Sequence, residues 1–364
     1  MELALYCPVY GYYEKEGDTV GRGGDFYTSV SVGSLFGELL AFQFAEWLEE
    51  SQSCAPNREP VLITEAGAHR GELAKDILHW LREWRPALFE STKYWILEPS
   101  PQRQQWQRST LSEFASYVRW AKNHDAWAEA RTKEPPSITS GIAGVIFSNE
   151  LLDAFPVHRL GWDAGDRTWF EWGVGLSRDQ FVWVRLPAEH SVLREPHSAV
   201  SSALRPFEGI TQSGVLPDGF TVEVCPAATA WWARSANLLA RGKLLTIDYG
   251  FREDELLAPG RNQGTLRTYY RHQQSDNPLE HPGQQDITAH VNFTAIQAAG
   301  EGVGLQTDGF STQAQFLTSV AARTWERKSS FGKWTPARRK QLLTLTHPDH
   351  LGRAFRVLIQ SRTP

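Results

Sequence analysis

The hydrophobic positions of this chain change period several times, and the changes mark its elements. From Gly33 to Glu50, the residues Leu35, Phe36, Leu39, Leu40, Phe44 and Leu48 recur at helical spacing. They predict an amphipathic helix, ended by Pro56. Val61–Glu65 is a short apolar run closed by an acid and a glycine-bearing turn, and residues 71–83 return to the helical period. Tyr94–Leu97 is a second apolar run, ending at Glu98. A polar helix is expected over about 102–114, with short strands at Tyr117–Trp120 and Ala143–Phe147. Short strands alternating with helical stretches predict an α/β fold: a mainly parallel sheet with helices on both faces.

The period changes again over 157–222. The stretch WFEWGVGLSRDQFVWVRL alternates around turn residues and reads as a β-hairpin insertion. Helical spacing resumes at Ala227–Ala240, and a strand is expected at Lys243–Asp248. Residues 252–288 are polar, rich in Gly, Pro, His and Gln, and read as a long loop of the kind compact domains keep for function. Asn292–Ala299 is expected as a helix, Gly302–Thr307 as a strand and 311–323 as a helix. The organisation that follows is an N-terminal covering segment (1–55), the first part of a catalytic core (56–156), the β-rich insertion (157–222), and the remainder of the core (223–364) with an active-site loop at about 252–290.

Composition narrows the function. Of 364 residues, 41% are hydrophobic and 22% charged, enough for a large buried core. The net charge of -5 argues against nucleic acid, which needs a basic surface, and is compatible with a cationic substrate. Cys7, Cys54 and Cys225 form no CxxC and no disulfide framework, so a reducing compartment is expected. Met1–Tyr13 has neither the pattern of a signal peptide nor the arginines of a mitochondrial presequence, which favours a bacterial-type cytoplasm. No apolar stretch approaches the roughly 20 residues that span a bilayer. Oligomeric state is not legible.

The sharpest local signal is the strand-turn-helix Ile63-Thr64-Glu65-Ala66-Gly67-Ala68-His69-Arg70-Gly71. Glycines let a ligand approach the backbone, and the helix start favours an anionic group. Alone, this is equally an ordinary strand-to-helix turn. Glu98 adds to it, because an acid at the end of the next strand is placed to bind ribose hydroxyls at the carboxyl edge of an open sheet. AGAHRG lacks the GxGxxG of a pyrophosphate cradle, so S-adenosylmethionine fits better than NAD.

MELALYCPVYGYY, GDFYTS, ExGxxxG, NELLDAFPVHR, DYG, GTLRTYYRH and PGQQDITAHVNF follow one another in this order. Together they resemble the MidA-like methyltransferases, a family that includes a mitochondrial assembly factor for respiratory complex I. The likeness runs from residue 1 to about 360. It implies a class I, Rossmann-like methyltransferase fold with S-adenosyl-L-methionine as cofactor. It also implies an arginine side chain of a partner protein as substrate, a respiratory-chain subunit being the family's example, and a mitochondrial matrix location in a eukaryote. By this resemblance Glu65, Gly67 and Gly71 shape the cofactor turn and Glu98 binds ribose. Asp25, Phe26 and Thr28 close over the methionine end or the active site, and Asn149 and Glu150 sit beside the methyl group. The chain departs from the family where His69 replaces a glycine, Val30 a proline and Asn292 an aspartate. A non-catalytic assembly protein that keeps a weak cofactor site is therefore the rival reading, with a nicotinamide oxidoreductase behind it.

Methylating arginine needs a carboxylate that grips guanidinium bidentately and orients one nitrogen, and a base that helps take a proton. NELLDAF resembles the SELLxSF stretch of arginine methyltransferases that use a glutamate there. This makes Glu150 the candidate grip, the alternative being a cap of the following turn. Asp153 is a second acid or a cap. His290 is a partner of Glu150 or a structural histidine, and Asp286 a weaker candidate. Asp248, in the DYG run, is expected to shape the substrate pocket. His272, His281 and His290 lie nine apart without tight metal-ligand spacing, so no metal is expected.

Overall fold

The computed structural model describes residues 1–15, 28–53, 61–133, 142–195, 198–204, 216–270, 273–275, 277–326 and 330–363. In chain order the strands begin with β1 (Val61–Ala66), β2 (Thr92–Leu97), β3 (Val118–Ala121) and β4 (Ile142–Asn149). An antiparallel group follows: β5 (His158–Asp163), β6 (Thr168–Ser177), β7 (Gln180–Arg185) and β8 (Thr221–Val224). Then come β9 (Leu239–Phe251), β10 (Arg267–Tyr270), β11 (Gln273–Ser275), β12 (Asp286–Thr288), β13 (Val291–Asn292), β14 (Gln306–Thr312) and β15 (Phe355–Arg362). The chain divides into two compact units. The larger comprises Val20–Leu151, Trp232–Tyr249 and Gln297–Pro364; the smaller comprises Met1–Thr19, Leu152–Trp231 and Gly250–Ile296.

The larger unit is built on a sheet of order β14-β15-β9-β4-β1-β2-β3. The neighbours from β9 to β3 are parallel, and β15 is antiparallel to both β9 and β14. The mainly parallel α/β architecture expected from the alternation is the one observed, and it is the class I methyltransferase arrangement that the resemblance implies. Strand order reverses at β1, which pairs with β2 on one side and β4 on the other. That reversal opens a crevice at the carboxyl ends of the strands.

One face of the sheet presents Ile63, Val145, Phe147, Leu245 and Ile247 to an apolar core. The helix Leu35–Ser53 fills that core, with Leu35, Phe36, Leu39, Leu40, Phe42 and Phe44 all fully buried. It was expected to be amphipathic but is covered on nearly every side, because the helices Glu72–Trp84, Gln313–Glu326 and Pro336–Thr346 all pack on it. Three of its polar groups are paired there: Glu38 with Arg338, Glu46 with Arg323, and Gln43 also with Arg323, while Glu49 and Glu50 near its end are exposed. On the opposite face His124 hydrogen-bonds Ser235 at 2.8 Å and Trp232 Nε1 donates to Gln360 at 2.7 Å. Of the expected covering segment 1–55, Met1–Thr19 belongs to the smaller unit, and the helix Leu35–Ser53 is core of the larger.

In the smaller unit, the region read as a hairpin is a four-stranded antiparallel sheet of order β7-β6-β5-β8. The β6–β7 hairpin closes through Arg178 (φ 47°) and Asp179 (φ 62°), the paired positive angles of a type I′ turn. Residues 252–290 are not a plain loop. They hold a second antiparallel sheet of order β11-β10-β12, whose strands are too short for periodicity to reveal. Among the described residues, no helix is long and apolar enough to cross a membrane.

Candidate functional site

The carboxyl edge of the larger unit collects most of the expected residues. At the end of β1 the chain turns through Gly67 (φ 74°), His69 (φ 44°) and Gly71 (φ 88°) before the helix Glu72–Trp84. A Cβ at Gly67 would lie 2.9 Å from Leu151 Cδ1, so both the angle and the packing require glycine there. Glu65, one residue from the end of β1, is buried and accepts a 2.7 Å hydrogen bond from Tyr94 Oη on β2. Burial pushes its carboxyl up to about 8.

Glu98 follows β2 and is 2% exposed. Its Oε1 accepts from Ser100 N, Arg103 Nε and Arg103 Nη2, each at 2.9 Å, and its Oε2 accepts from Gln107 Nε2 at 3.2 Å. The helix Pro101–Thr110 supplies these donors: Ser100 caps it, and Arg103 and Gln107 follow one turn apart on one face. Neither Arg103 nor Gln107 was singled out from sequence. The recoverable signal was a polar side chain each turn, directly behind a strand-ending acid.

β4 ends at Asn149, and Glu150 follows with φ 52°. Asn149 Nδ2 donates to Glu150 Oε1 at 3.0 Å, and Glu150 N donates to Ile247 O at 2.9 Å. Asp248 is fully buried on β9, and its Oδ2 accepts from Leu151 N at 3.1 Å. The turn bearing Glu150 is thus pinned to β9 from two adjacent residues. Leu151 in turn packs on Gly67.

Thr28 is buried, and its side chain starts the short helical turn Val30–Val32: Ser31 N donates to Thr28 Oγ1 at 3.2 Å, and Ser31 Oγ donates to Thr28 O at 2.8 Å. Asp25, Phe26 and His272 lie outside the described residues.

Asp153 and His290 belong to the smaller unit, whereas Glu150 belongs to the larger. Asp153 is buried, and its carbonyl accepts from Ala289 N at 2.9 Å. His290 stacks on Phe251 at 4.8 Å between ring centroids, and its Nδ1 lies 3.4 Å from Thr265 O. Burial lowers its pKa to about 4, so the ring is neutral at physiological pH. Asp286 is buried, and its Oδ1 accepts from Tyr13 Oη at 2.7 Å and from Ile287 N at 2.9 Å. Burial, with Asp286 beside it, holds the Tyr13 phenol well above its usual range.

Two observations suit a nucleoside at the edge of the larger unit. Asn149 Oδ1 is buried without a hydrogen-bond partner among the described residues. Glu98 Oε2 accepts from Gln107 alone among them, which leaves acceptor capacity for a hydroxyl.

A family model described as "Putative S-adenosyl-L-methionine-dependent methyltransferase" matches residues 39–311. Protein arginine methyltransferase NDUFAF7, mitochondrial, of Danio rerio is 28% identical over 98% of this chain and 80% of its own length. The protein of that name from Homo sapiens is 26% identical over 98% of this chain and 77% of its own. A superfamily member from Burkholderia thailandensis, solved bound to S-adenosyl-homocysteine, is 29% identical with a TM-score of 0.77, over 99% of this chain and 86% of that one. The family match runs from the core helix before β1 into β14 and takes in the whole edge described above, so this chain belongs to the MidA-like family of S-adenosyl-L-methionine-dependent methyltransferases.

Proposed function

We propose that this chain transfers a methyl group from S-adenosylmethionine to an arginine side chain of a partner protein, with Glu150 as the grip on the guanidinium. The observation that carries the reading is the backbone of Glu150. A non-glycine residue at φ 52° directly after β4, the neighbour of the strand at which the order reverses, is strained, and two bonds to β9 hold it there. Bound at this edge, the cofactor supplies an electrophilic methyl on sulfur. Glu98 would take the ribose hydroxyls, Gly67 and Gly71 would give the turn the positive φ angles that shape its backbone around the ligand, and Asn149 Oδ1 would accept a donor from it. The carboxylate of Glu150 would hold the guanidinium by charge-assisted bonds and aim one nitrogen. Asp153 and His290 are proposed as helpers in orientation or proton transfer. A ring that is neutral above about pH 4 has an open nitrogen for a proton. Asp25, Phe26 and Thr28 are proposed to close over the methionine end.

The naming of the relatives as protein arginine methyltransferases supports the choice of substrate. The resemblance makes a subunit of the respiratory chain the first candidate partner; the relatives named mitochondrial suit the matrix in a eukaryote, and the cytoplasm is proposed for a bacterium.

The test is transfer of tritiated methyl into lysate from cells lacking the protein, with mass spectrometry of the labelled residue. Glu150→Gln removes the charge and one acceptor oxygen. It is expected to abolish label while leaving S-adenosylhomocysteine affinity within a few-fold. Label on lysine, glutamine or a small molecule would refute the arginine reading, and full label in the variant would remove Glu150 from the mechanism.

A further inference from the structure

The edge of the larger unit is tied together by one side chain that has no place in the chemistry above. Gln107 is fully buried in the helix Pro101–Thr110. Its Nε2 donates to His69 O at 2.9 Å, inside the glycine turn, and to Glu98 Oε2 at 3.2 Å. Its Oε1 accepts from Trp120 Nε1 on β3 at 2.9 Å. An indole N–H only donates, so the amide has a single orientation: oxygen to Trp120, nitrogen to the acid and the turn. Both nitrogen protons are used on protein. Gln107 therefore fixes the spacing between the turn after β1, the acid after β2 and strand β3 without needing to touch a ligand.

We infer that Gln107 is the positioning residue of the nucleoside site, aiming Glu98 Oε2 at the ribose and holding the His69 carbonyl in the turn. This rests on the reading that Glu98 and the glycine turn bind the cofactor. The charged and titratable groups around it are Glu98 with its Arg103, Arg108 stacked 4.1 Å over Trp120, His69 on the turn, and Arg70, which lies 5.0 Å over Trp106.

Gln107→Glu tests it. The variant keeps the volume and the bond from Trp120 but sets an acceptor against two acceptors, Glu98 Oε2 and His69 O. When the introduced carboxyl is protonated, one donated bond returns. The readout is S-adenosylhomocysteine affinity by calorimetry on the full chain, as the ratio of variant to wild type at each pH. The ratio is expected to show a loss of at least about tenfold at pH 9 and recovery to within about threefold at pH 6. In a Glu98→Ala background the pH dependence of the ratio should shrink, because the main opposed charge is gone. A loss equal at both pH values, matched by a fall in the ligand-free melting temperature, would mean that Gln107 merely packs and would overturn the inference. So would an unchanged affinity at both. If Glu98→Ala weakens binding while Gln107→Glu does not, the inference fails alone. If neither weakens it, the site assignment falls with it.

Discussion

His69 and Glu150 both hold backbone angles that side chains with a Cβ rarely adopt, φ 44° and φ 52°. Each conformation costs on the order of 1 kcal/mol against glycine, so something must retain it. For His69 the bond that joins the turn to the helix Pro101–Thr110 is made by the backbone: its carbonyl accepts from Gln107, and a glycine carbonyl would do the same. His69→Gly is therefore expected to keep or improve S-adenosylmethionine affinity, measured by calorimetry. A large loss of binding would show that the imidazole itself meets the ligand. Glu98→Ala has the opposite expectation. It removes a carboxylate that Arg103 orients, and cofactor affinity should fall roughly ten- to hundredfold, the weight of about 1.5–3 kcal/mol for a charge-assisted bond. Unchanged affinity would remove Glu98 from the site.

Between elements, the buried Glu65–Tyr94 bond joins β1 to β2 and couples stability to pH. Burial raises the Glu65 pKa from 4.5 to about 8. Across that window the folded protein holds a proton that the unfolded chain releases, so stability falls as pH rises from about 4.5 to 8 and then levels off. The slope approaches about 1.4 kcal/mol per pH unit for one full proton. Asp76, raised to about 7 by burial and by Glu38 and Glu72, adds a slope of the same sign. In Glu65→Gln the amide oxygen still accepts from Tyr94 and the titration is gone. Its melting temperature relative to wild type should climb steadily from pH 5 to pH 8.5, and a flat difference would show that Glu65 does not titrate there.

Most of the edge was legible because strand-turn-helix punctuation survives in one dimension: Glu65, Gly67, Gly71, Glu98 and Asn149 all sit at ends of apolar runs. What stayed hidden depends on neighbours distant in sequence. Arg103 and Gln107 sit in a helix that reads only as polar, and their partners are Glu98 for Arg103 and β3 with the turn after β1 for Gln107. Leu35–Ser53 reads as amphipathic because Glu38 and Glu46 look exposed, and their arginines lie some 300 residues away in sequence. The helix His124–Lys133 carries only Trp127 as a large apolar residue and gives no period. β15 gave no sign that it belongs inside the sheet.

At the scale of the molecule, that last strand governs the larger unit. β15 lies between β9 and β14, and its Phe355, Val357 and Leu358 are fully buried. Deleting residues 355–364 is expected to abolish S-adenosylhomocysteine binding and cooperative melting together, because β15 pairs along β9 from Gly242 to Tyr249 and so supports Asp248 at the edge. A truncated chain that still bound the ligand would show that β9 can serve as an edge strand. The insertion should behave otherwise. Leu176, 68% exposed on β6, is expected to accept Lys with a change in stability within about 0.5 kcal/mol and no change in cofactor affinity, checked by melting and calorimetry.

The buried helix near the start of the chain also sets a problem of timing on the ribosome. Glu38 is made 300 residues before the Arg338 that neutralises it. At roughly 5–20 residues per second, that interval is about 15–60 s. For most of it, Phe36, Phe42 and Phe44 have left the exit tunnel while two of the three helices that will cover them, Gln313–Glu326 and Pro336–Thr346, are not yet complete. A nascent chain stalled before residue 313 is therefore predicted to bind a holding chaperone through this helix, and the full-length chain is predicted to let go. Crosslinking of stalled chains of increasing length would locate the release, and release before the helix Gln313–Glu326 emerges would show that the early segments shelter one another.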